Sequence, residues 1–245
     1  GMKGLILAGG YGTRLHPLTE DTAKPLVNVH DTPIITRILR RIEHIPFDEL
    51  YVVTNDKFTG QLRDWAERVD TDHDITVIND GTTKNGERLG SLGDIKYVVN
   101  EASIDDDLFV IGGDNLFEFD LEDFIDAYNE QEGSLIAVKD LKDKEKVAGS
   151  FGVVDVDDDN IVTGFEEKPE DPSSTLASTL LYALSEDHLS LLDVYLARGY
   201  PSDDAGNFIK YLADEGRVVA YDFDAAWFDI GTKERLSEAE DYYDA

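Results

Sequence analysis

A glycine-rich turn directly after an apolar run is the first feature of this sequence whose residue types suggest chemistry. Residues 3–8 (KGLILA) are mostly apolar, as expected of a strand buried on both faces of a parallel sheet, and Gly9, Gly10 and Gly12 follow them. Ligands of open parallel sheets bind beyond the carboxyl ends of the strands. Glycines there let backbone N–H groups approach phosphate oxygens, and Arg14 supplies a forked cation that suits them. We therefore interpret the turn as a candidate phosphate-binding loop.

This loop does not fit the two commonest nucleotide-binding motifs. The GxxxxGK[ST] spacing of a Walker A loop is missing, and Leu15 stands where a GxGxxG fingerprint needs its third glycine. Taken alone, a Gly-Gly pair after a strand is more often a plain tight turn. The loop by itself therefore leaves both interpretations open.

Two aspartates stand in settings that do not suit a free carboxylate. Asp114 ends the apolar run LFVIGGD, and Asp229 lies in the aromatic segment AWFDIGT. An unpaired charge in such surroundings is costly unless a cation lies beside it. Each aspartate therefore predicts a nearby cation.

The elements that must position these residues alternate along the first part of the chain. Apolar runs similar to residues 3–8 recur at 50–53, 75–78, 108–111 and 135–138. Between them, apolar residues recur at helical spacing within 34–45 and 121–128. This alternation predicts an α/β fold with a mostly parallel, Rossmann-like sheet, helices on both faces and right-handed crossovers.

The pattern changes after about residue 150. Residues 151–156 (FGVVDV) and 161–169 (IVTGFEEKP), with a turn-like acidic run between them, predict an antiparallel hairpin inserted on the α/β core. Beyond the hairpin we expect an apolar segment at 178–184, a strand near 217–223 and a terminal helix from about 232. A length of 245 residues is compatible with one domain.

The composition restricts the class of partner. The chain has 53 acidic and 22 basic residues and a formal net charge of -31, which opposes binding to nucleic acid or anionic membranes. So large an excess of carboxylates makes a compact chain repel itself, and salt at ~1 M relieves the repulsion by shortening the screening length to ~3 Å. The composition therefore predicts a halophilic protein. The acidic runs 105–107 and 157–159 are interpreted as solvated surface. The chain has no cysteine and no membrane-length apolar run, and we expect a cytoplasmic location.

Residues 8–29 (AGGYGTRLHPLTEDTAKPLVNV) resemble the N-terminal signature of the sugar-1-phosphate nucleotidyltransferases, or nucleoside-diphosphate-sugar pyrophosphorylases. The family pattern is GGxGTRLxPLT followed by Lys-Pro, and the resemblance is closest to glucose-1-phosphate thymidylyltransferase-like members. It implies a nucleotide-diphospho-sugar transferase-like fold. It also implies the reaction of a nucleoside triphosphate with a sugar 1-phosphate to give a nucleoside-diphosphate sugar and pyrophosphate.

The resemblance assigns roles to the nucleotide side of the site. Residues that would wrap the nucleoside triphosphate are Ala8, Gly9, Gly10, Gly12, Thr13 and Arg14. Arg14 would also hold the departing pyrophosphate, and Lys24 would contact the reacting phosphate. Asp114 and Asp229 occupy the positions of the family's magnesium ligands, so Mg²⁺ is the implied cofactor. Arg14, Lys24 and Asp114 are the implied catalytic residues.

A second match implies the sugar-phosphate side. In the family, the segment corresponding to FEEKP lines the pocket for the sugar 1-phosphate. Glu167 would accept hydrogen bonds from sugar hydroxyls, and Lys168 would pair with the sugar phosphate. Gly152 matches the glycine of the family's Tyr-Gly-Val-Val, although Phe151 replaces the tyrosine and removes its hydroxyl.

The base-binding region departs from the thymidylyltransferase pattern of Gln-Pro followed by Gly-Leu-Ala. Residues 79–90 read NDGTTKNGERLG. Asn79 and Gly81 are candidates to read a base edge, and Arg88 or Leu89 to cover it. We expect dTTP or UTP with glucose 1-phosphate, and a CTP- or GTP-using member remains an alternative.

Two further function classes remain open. One is a catalytically inactive, nucleotide-sugar-binding regulatory subunit of the same fold, and the other is a metal-dependent glycosyltransferase. The first class tends to lose the metal aspartates or the Arg-Lys pair, which are present here, and the second uses a D-x-D sequence where this chain has GGDN. We expect a monomer or small homo-oligomer with no nucleic-acid or membrane partner.

The resemblance also implies how one domain, residues 1–245, divides its work. About 1–115 would form a nucleotide-binding half and about 116–228 a sugar-phosphate half. Residues 229–245 would complete the metal site.

Overall fold

The protein is described by a computed structural model that covers residues 1–244. The strands are Met2–Ala8 (β1), Asn28–Val29 (β2), Thr32–Pro33 (β3), Glu49–Thr54 (β4), Ile75–Asn79 (β5), Asp107–Gly112 (β6), Asn115–Phe117 (β7), Ser134–Asp140 (β8), Gly152–Val156 (β9), Val162–Glu167 (β10), Leu176–Leu184 (β11), Val218–Asp222 (β12) and Trp227–Asp229 (β13). The α-helices are Ile34–Ile42 (α1), Thr59–Arg68 (α2), Gly90–Glu101 (α3), Glu122–Asn129 (α4), Lys144–Val147 (α5), Glu186–Leu189 (α6), Leu192–Ala197 (α7), Ala205–Glu215 (α8) and Lys233–Asp244 (α9). Short 3-10 turns occur at Thr13–Leu15, Lys24–Leu26 and Asn85–Glu87.

A nine-stranded sheet forms the centre of the fold. Its main path runs β10-β9-β11-β6-β1-β4-β5, and β8 pairs with both β11 and β12. β1 is parallel to β4 and β6, and β4 is parallel to β5, so the predicted parallel α/β half is confirmed. The carboxyl ends of β1, β5 and β6 therefore meet at one edge, where parallel sheets place ligands.

The apolar runs are explained by burial on both faces of this sheet. In β1, Leu5 and Leu7 pack into the hydrophobic cluster beneath α3, α7 and α8. Ile6 and Ala8 alternate with them and pack into the cluster beneath α1, α2, α4 and α9. Because successive strand residues point to opposite faces, a strand covered on both sides needs no polar positions.

Antiparallel pairing enters the sheet through β11. This strand runs antiparallel to β6, β8 and β9, and β9 and β10 form the predicted antiparallel hairpin. The hairpin continues the edge of the central sheet through the pairing of Ala177 with Val153. The apolar segment expected at 178–184 is the second part of β11, which lies inside the sheet because β6 and β8 pair with it on its two sides.

A separate two-stranded sheet brings the C-terminal part of the chain back to the end of β6. β13 pairs antiparallel with β7, with Asp229 opposite Asn115 and Phe228 opposite Leu116. The backbone N–H of Ile230 donates to the carbonyl of Asp114 at 2.9 Å. This pairing brings the segments that carry Asp114 and Asp229 side by side, and α9 follows directly. Within residues 1–244, no helix is long and apolar enough to cross a membrane.

Candidate active site

The loop after β1 is held in one shape by contacts with its neighbours. Gly12 has a φ of +63°, in the left-handed region that favours glycine. The hydroxyl of Thr19 donates to the Gly12 carbonyl at 2.5 Å. The side-chain amide of fully buried Asn55 donates to the Gly9 carbonyl at 3.1 Å. The buried side chains of Thr19 and Asn55 therefore fix the loop, while Thr13 and Arg14 on the following turn are exposed.

Glycines allow the end of β6 to approach the end of β1. The backbone N–H of Gly113 donates to the Leu7 carbonyl at 2.7 Å. A Cβ atom at Gly113 would lie 2.5 Å from that same carbonyl oxygen, closer than real Cβ atoms come. The close approach carries Asp114 to the 3-10 turn that begins at Lys24, and Nζ of Lys24 lies 3.0 Å from Oδ2 of Asp114.

Three cations surround the carboxylates of Asp114 and Asp229. Burial, followed by the charge of Asp114, raises the pKa of Asp229 to about 6, against the opposing effects of Arg235, Lys24 and Arg14. The guanidinium of Arg235 donates from an Nη atom to Oδ2 of Asp229 at 2.7 Å. Two adjacent carboxylates at the rim of a cavity are hard oxygen donors, and their repulsion would be relieved by a divalent cation. The residues present therefore fit Mg²⁺.

Two cavities open on either side of Asp114. The larger, of about 290 Å³, is lined by Arg14, Ser91, Asp114, Asn115, Gly149, Ser150, Phe151, Gly152, Phe165, Glu167, Lys168, Ser178, Thr179, Leu180, Tyr182, Asp204, Ala205, Gly206, Trp227, Asp229 and Arg235. The smaller, of about 170 Å³, is lined by Leu7, Ala8, Gly9, Gly10, Lys24, Pro25, Arg88, Gly90, Ser91, Asp94, Gly112, Gly113, Asp114 and Leu180. Ser91, Asp114 and Leu180 line both cavities, so the two cavities meet at these residues.

An irregularity in β11 shapes the wall between the cavities. The register of β11 shifts between Ser178 and Tyr182, and Leu180 has a φ of +55°, which is uncommon for a branched residue. The side-chain amide of buried Asn115 donates to the Thr179 carbonyl, and its oxygen accepts from the Trp227 indole at 3.1 Å. A bulge next to a site re-aims side chains, and these bonds hold this one in place.

The larger cavity collects the residues expected to take the sugar phosphate. Gly152, Glu167 and Lys168 line it together with Arg14, Asp114 and Asp229. A Cβ atom at Gly152 would lie 2.5 Å from the Phe165 ring, so glycine is needed there for close packing. Burial and then the charge of Asp204 raise the pKa of Glu167. Glu167 and Asp204 are partly buried carboxyl groups on the wall of this cavity, and carboxyl oxygens can accept hydrogen bonds from hydroxyl groups.

The smaller cavity collects only part of the expected nucleotide set. Ala8, Gly9, Gly10, Lys24 and Asp114 line it. Gly12, Thr13, Asn79, Gly81 and Leu89 lie outside the lining of both cavities. The Asn79 side chain is already engaged, since its amide donates to Asp56 at 2.9 Å and its oxygen accepts from the Gly81 backbone at 2.8 Å.

A buried carboxyl pair beneath the glycine loop was not anticipated from the sequence. Asp94 and Asp80 are 5% and 6% exposed, and Asp94 lines the smaller cavity. Burial, a hydrogen bond to Asp80 and the charge of Asp80 raise the pKa of Asp94 to about 9. The Asp94 carboxyl lies so close to the loop that a Cβ atom at Gly9 would be 2.0 Å from its Oδ2. The sequence feature that could have indicated this buried carboxyl group is the position of Asp94, an acidic residue beside Ile95 on the apolar face of α3.

Comparison with known proteins decides the family. Residues 3–245 match the family described as nucleotidyl transferase. The chain belongs to this family. The family and the fold expected from the motifs are therefore both confirmed.

Individual nucleotidyl transferases match over most of this chain. A bifunctional GlmU protein from Methanocaldococcus jannaschii is 30% identical over 241 residues, which cover 98% of this chain and 54% of that protein. A UTP–glucose-1-phosphate uridylyltransferase from Synechocystis sp. is 27% identical over 240 residues, covering 94% of this chain and 60% of that protein. The chain thus spans little more than half the length of these curated relatives.

Solved structures carry the same fold. A Bacillus anthracis protein described as a glucose-1-phosphate thymidylyltransferase, solved with sucrose, has a TM-score of 0.81 at 24% identity. The match covers 99% of this chain and 95% of that one. At this identity the likeness concerns the fold of the nucleotidyl transferase domain alone.

Proposed function

We propose that this protein transfers a nucleotidyl group from a nucleoside triphosphate to a sugar 1-phosphate and releases pyrophosphate. The observation that carries the proposal is the junction of two cavities at Asp114, one bordered by the glycine loop and the other by Glu167 and Lys168. The reaction needs two anionic substrates to meet at one metal-binding point. An arrangement of two cavities with a shared carboxylate meets that requirement.

The two cavities suggest a division of labour within the chain. The glycine loop, Lys24 and the end of β6 border the smaller cavity, which we assign to the triphosphate. Residues between 149 and 206 supply most of the larger cavity, which we assign to the sugar phosphate. In this proposal, residues 1–115 form the nucleotide half, 116–228 the sugar-phosphate half, and 229–245 complete the metal site. Ala245 lies outside the described residues.

The chemistry requires no protein nucleophile. A phosphate oxygen of the sugar 1-phosphate attacks the α-phosphorus, a new P–O bond forms, and the bond from the α-phosphorus to the bridging oxygen of pyrophosphate breaks. The attacking phosphate is already anionic, so no general base is needed and catalysis consists of positioning and charge neutralisation. Lys24 at the smaller cavity, and Arg14 and Lys168 at the larger one, stand where they can offset that charge.

Asp114 and Asp229 would hold Mg²⁺, which supplies charge neutralisation on the phosphates when it is bound. The backbone of Ile230 and the pairing of β7 with β13 fix the two aspartates relative to each other. These contacts would hold the metal site in place before substrate arrives. Such preorganisation is the main source of electrostatic catalysis.

The substrate pair that we propose first is dTTP or UTP with glucose 1-phosphate. The names of the Synechocystis relative and of the Bacillus anthracis structure refer to uridylyl and thymidylyl transfer to that sugar phosphate, which supports this choice. A non-catalytic regulatory role on the same fold is the second candidate. The presence of Arg14, Lys24, Asp114 and Asp229 around the two cavities favours catalysis.

The test is pyrophosphate release in molar KCl with Mg²⁺, over a grid of dTTP, UTP, CTP, GTP and ATP against glucose, galactose, mannose and N-acetylglucosamine 1-phosphates. We expect release confined to a few pairs and reduced by ~10² or more in Asp114→Asn. Asp158→Asn, at an exposed turn, is the matched control and should leave the rate unchanged. Silence for every pair, with nucleotide-sugar binding retained by calorimetry, would overturn the catalytic proposal in favour of the regulatory one.

A further inference from the structure

Arg235 occupies an unusual position that none of the sequence motifs covers. It lies in the first turn of α9 and donates to Oδ2 of Asp229 at 2.7 Å. Its guanidinium carbon lies 4.7 Å from the centre of the Phe151 ring. An aromatic face attracts a guanidinium and fixes its plane, so Arg235 is held between a candidate metal ligand and an aromatic platform.

Most of the hydrogen-bonding capacity of Arg235 is unused. A guanidinium has five N–H donors, and within residues 1–244 Asp229 is the one acceptor of the Arg235 side chain. The side chain is about a third exposed and lines the larger cavity together with Arg14 and Lys168. The wall of this cavity also carries four carboxylates, Asp114, Glu167, Asp204 and Asp229. A divalent cation on Asp114 and Asp229 would leave the wall with a net positive charge, which favours an anionic occupant.

The ion pair with Asp229 conflicts with metal binding. Arg235, Lys24 and Arg14 all stabilise the charged form of Asp229, and Lys24 is likewise bound to Asp114. A divalent cation on the two aspartates would take over their charge and repel these side chains. Arg235 would then hold its remaining donors beside an anion in the same cavity, without needing to leave Phe151.

We propose that Arg235 exchanges partners during the reaction cycle: it pairs with Asp229 before the metal binds, and with the phosphate of the sugar substrate afterwards. The inference rests on the proposed function. A guanidinium suits this role because its rigid fork matches a phosphate bidentately. Arg235 is thus a substrate-binding residue for the sugar phosphate and, in the resting protein, a competitor of the metal.

The proposal predicts that one variant binds Mg²⁺ more tightly and the sugar 1-phosphate more weakly than the natural protein. Calorimetric titration of Mg²⁺ alone at pH 8 should show that Arg235→Met binds the metal about 3-fold more tightly, or better, than the natural protein does. The reason is that a competing cation is gone. In the same variant the KM for the sugar 1-phosphate should rise ~10-fold or more, the usual cost of a charged hydrogen bond, with an unchanged KM for the triphosphate.

Two further variants separate this role from a structural one. Arg235→Lys keeps the charge and loses the fork and the stacking, so it should bind Mg²⁺ as the natural protein does and still raise the KM for the sugar phosphate. Lys233→Met removes an exposed cation from the same turn and should change neither quantity. Weaker Mg²⁺ binding in Arg235→Met, together with a lower melting temperature, would identify a purely structural residue and overturn the proposal.

The inference can fail separately from the proposed function. Should the natural protein show no turnover, calorimetric titration of glucose 1-phosphate in the presence of Mg²⁺ replaces the KM. A loss of affinity of ~10-fold in Arg235→Met would then support phosphate binding by Arg235 even though the catalytic proposal had failed. Equal affinities, or no binding to either protein, would overturn the inference.

Discussion

Nζ of Lys24 lies 3.0 Å from Oδ2 of Asp114, although the two residues are 90 positions apart in the sequence. The parallel pairing of β1 with β6 and the close approach of Gly113 to Leu7 bring them together. The pair joins the loop that borders the smaller cavity to the carboxylate shared by both cavities. In the proposed reaction Asp114 would hold Mg²⁺, and the Lys24 ammonium would then be free to contact a phosphate.

Replacing Lys24 by methionine tests that role. We expect Lys24→Met to lower kcat by ~10² or more at saturating Mg²⁺, because a charge aimed at the reacting phosphate is lost. Lys210→Met removes an exposed lysine on α8 and should behave as the natural protein. A steady-state comparison of the three proteins measures the effect, and a kcat for Lys24→Met within about 2-fold of the control would remove Lys24 from the chemistry.

The buried pair of Asp94 and Asp80 predicts how stability depends on pH. Because the pKa of Asp94 is raised from 3.8 to about 9, the folded protein keeps a proton that the unfolded chain releases, and stability should fall as pH rises between these values. Asp94→Asn supplies a neutral group of similar size, so it should gain stability relative to the natural protein as pH rises from 5 to 8. Urea unfolding at both pH values, in molar KCl, measures the difference. Parallel pH profiles for the two proteins would contradict the raised pKa of Asp94.

The close approach of Gly113 to Leu7 predicts a steric effect on stability. Gly113→Ala would place a methyl group 2.5 Å from the Leu7 carbonyl and should destabilise the fold by about 1–3 kcal/mol. Gly60→Ala is the matched control, because a Cβ atom there meets nothing within 4 Å and the position lies in α2, where alanine is favoured. The two midpoints of urea unfolding decide the point: a Gly113→Ala midpoint equal to that of Gly60→Ala would refute the packing argument.

The net charge of -31 predicts a strong dependence of stability on salt. The melting temperature should rise as KCl increases from 0.1 to 2 M, because screening weakens repulsion among the carboxylates. Sucrose is the control, since it favours compact states without screening charge. A melting temperature that responds to sucrose and stays flat in KCl would speak against a halophilic adaptation.

Patterns within short stretches of sequence were enough to predict much of the fold and part of the candidate site. The continuous apolar run of β1 and the helical spacing of Ile34, Ile35 and Ile38 reflect burial that each element needs wherever it packs. The glycine loop and Asp114 were identified because their types are tied to strand ends. These features depend on short stretches of sequence, which is why the sequence alone reveals them.

Other contacts of the candidate site could not be predicted from the sequence, most of them because they depend on packing between distant segments. The amide of Asn79 donates to Asp56, which lies 23 positions earlier, a contact that depends on where the loops after β4 and β5 meet. The role of Asn79 in reading a base stays a prediction. Asp94 is separated from Gly9 by 85 positions of sequence and meets it through the packing of α3 on the sheet. Arg235 is a different case, because it lies only six positions after Asp229 and reaches it where α9 follows β13. A charged residue on a surface helix gives no sign of such a partner among 53 acidic residues.

The most direct test of the central claim follows the sugar's phosphate through the reaction. Glucose 1-phosphate labelled with ¹⁸O in the non-bridging phosphate oxygens would be incubated with Mg²⁺ and each of dTTP and UTP, and the products analysed by mass spectrometry. Attack of the sugar phosphate on the α-phosphorus places all of the label in the nucleoside-diphosphate sugar and leaves pyrophosphate unlabelled. Label in free phosphate or in pyrophosphate would contradict the proposed reaction, and the absence of a nucleotide sugar with both triphosphates would contradict the proposed substrate pair.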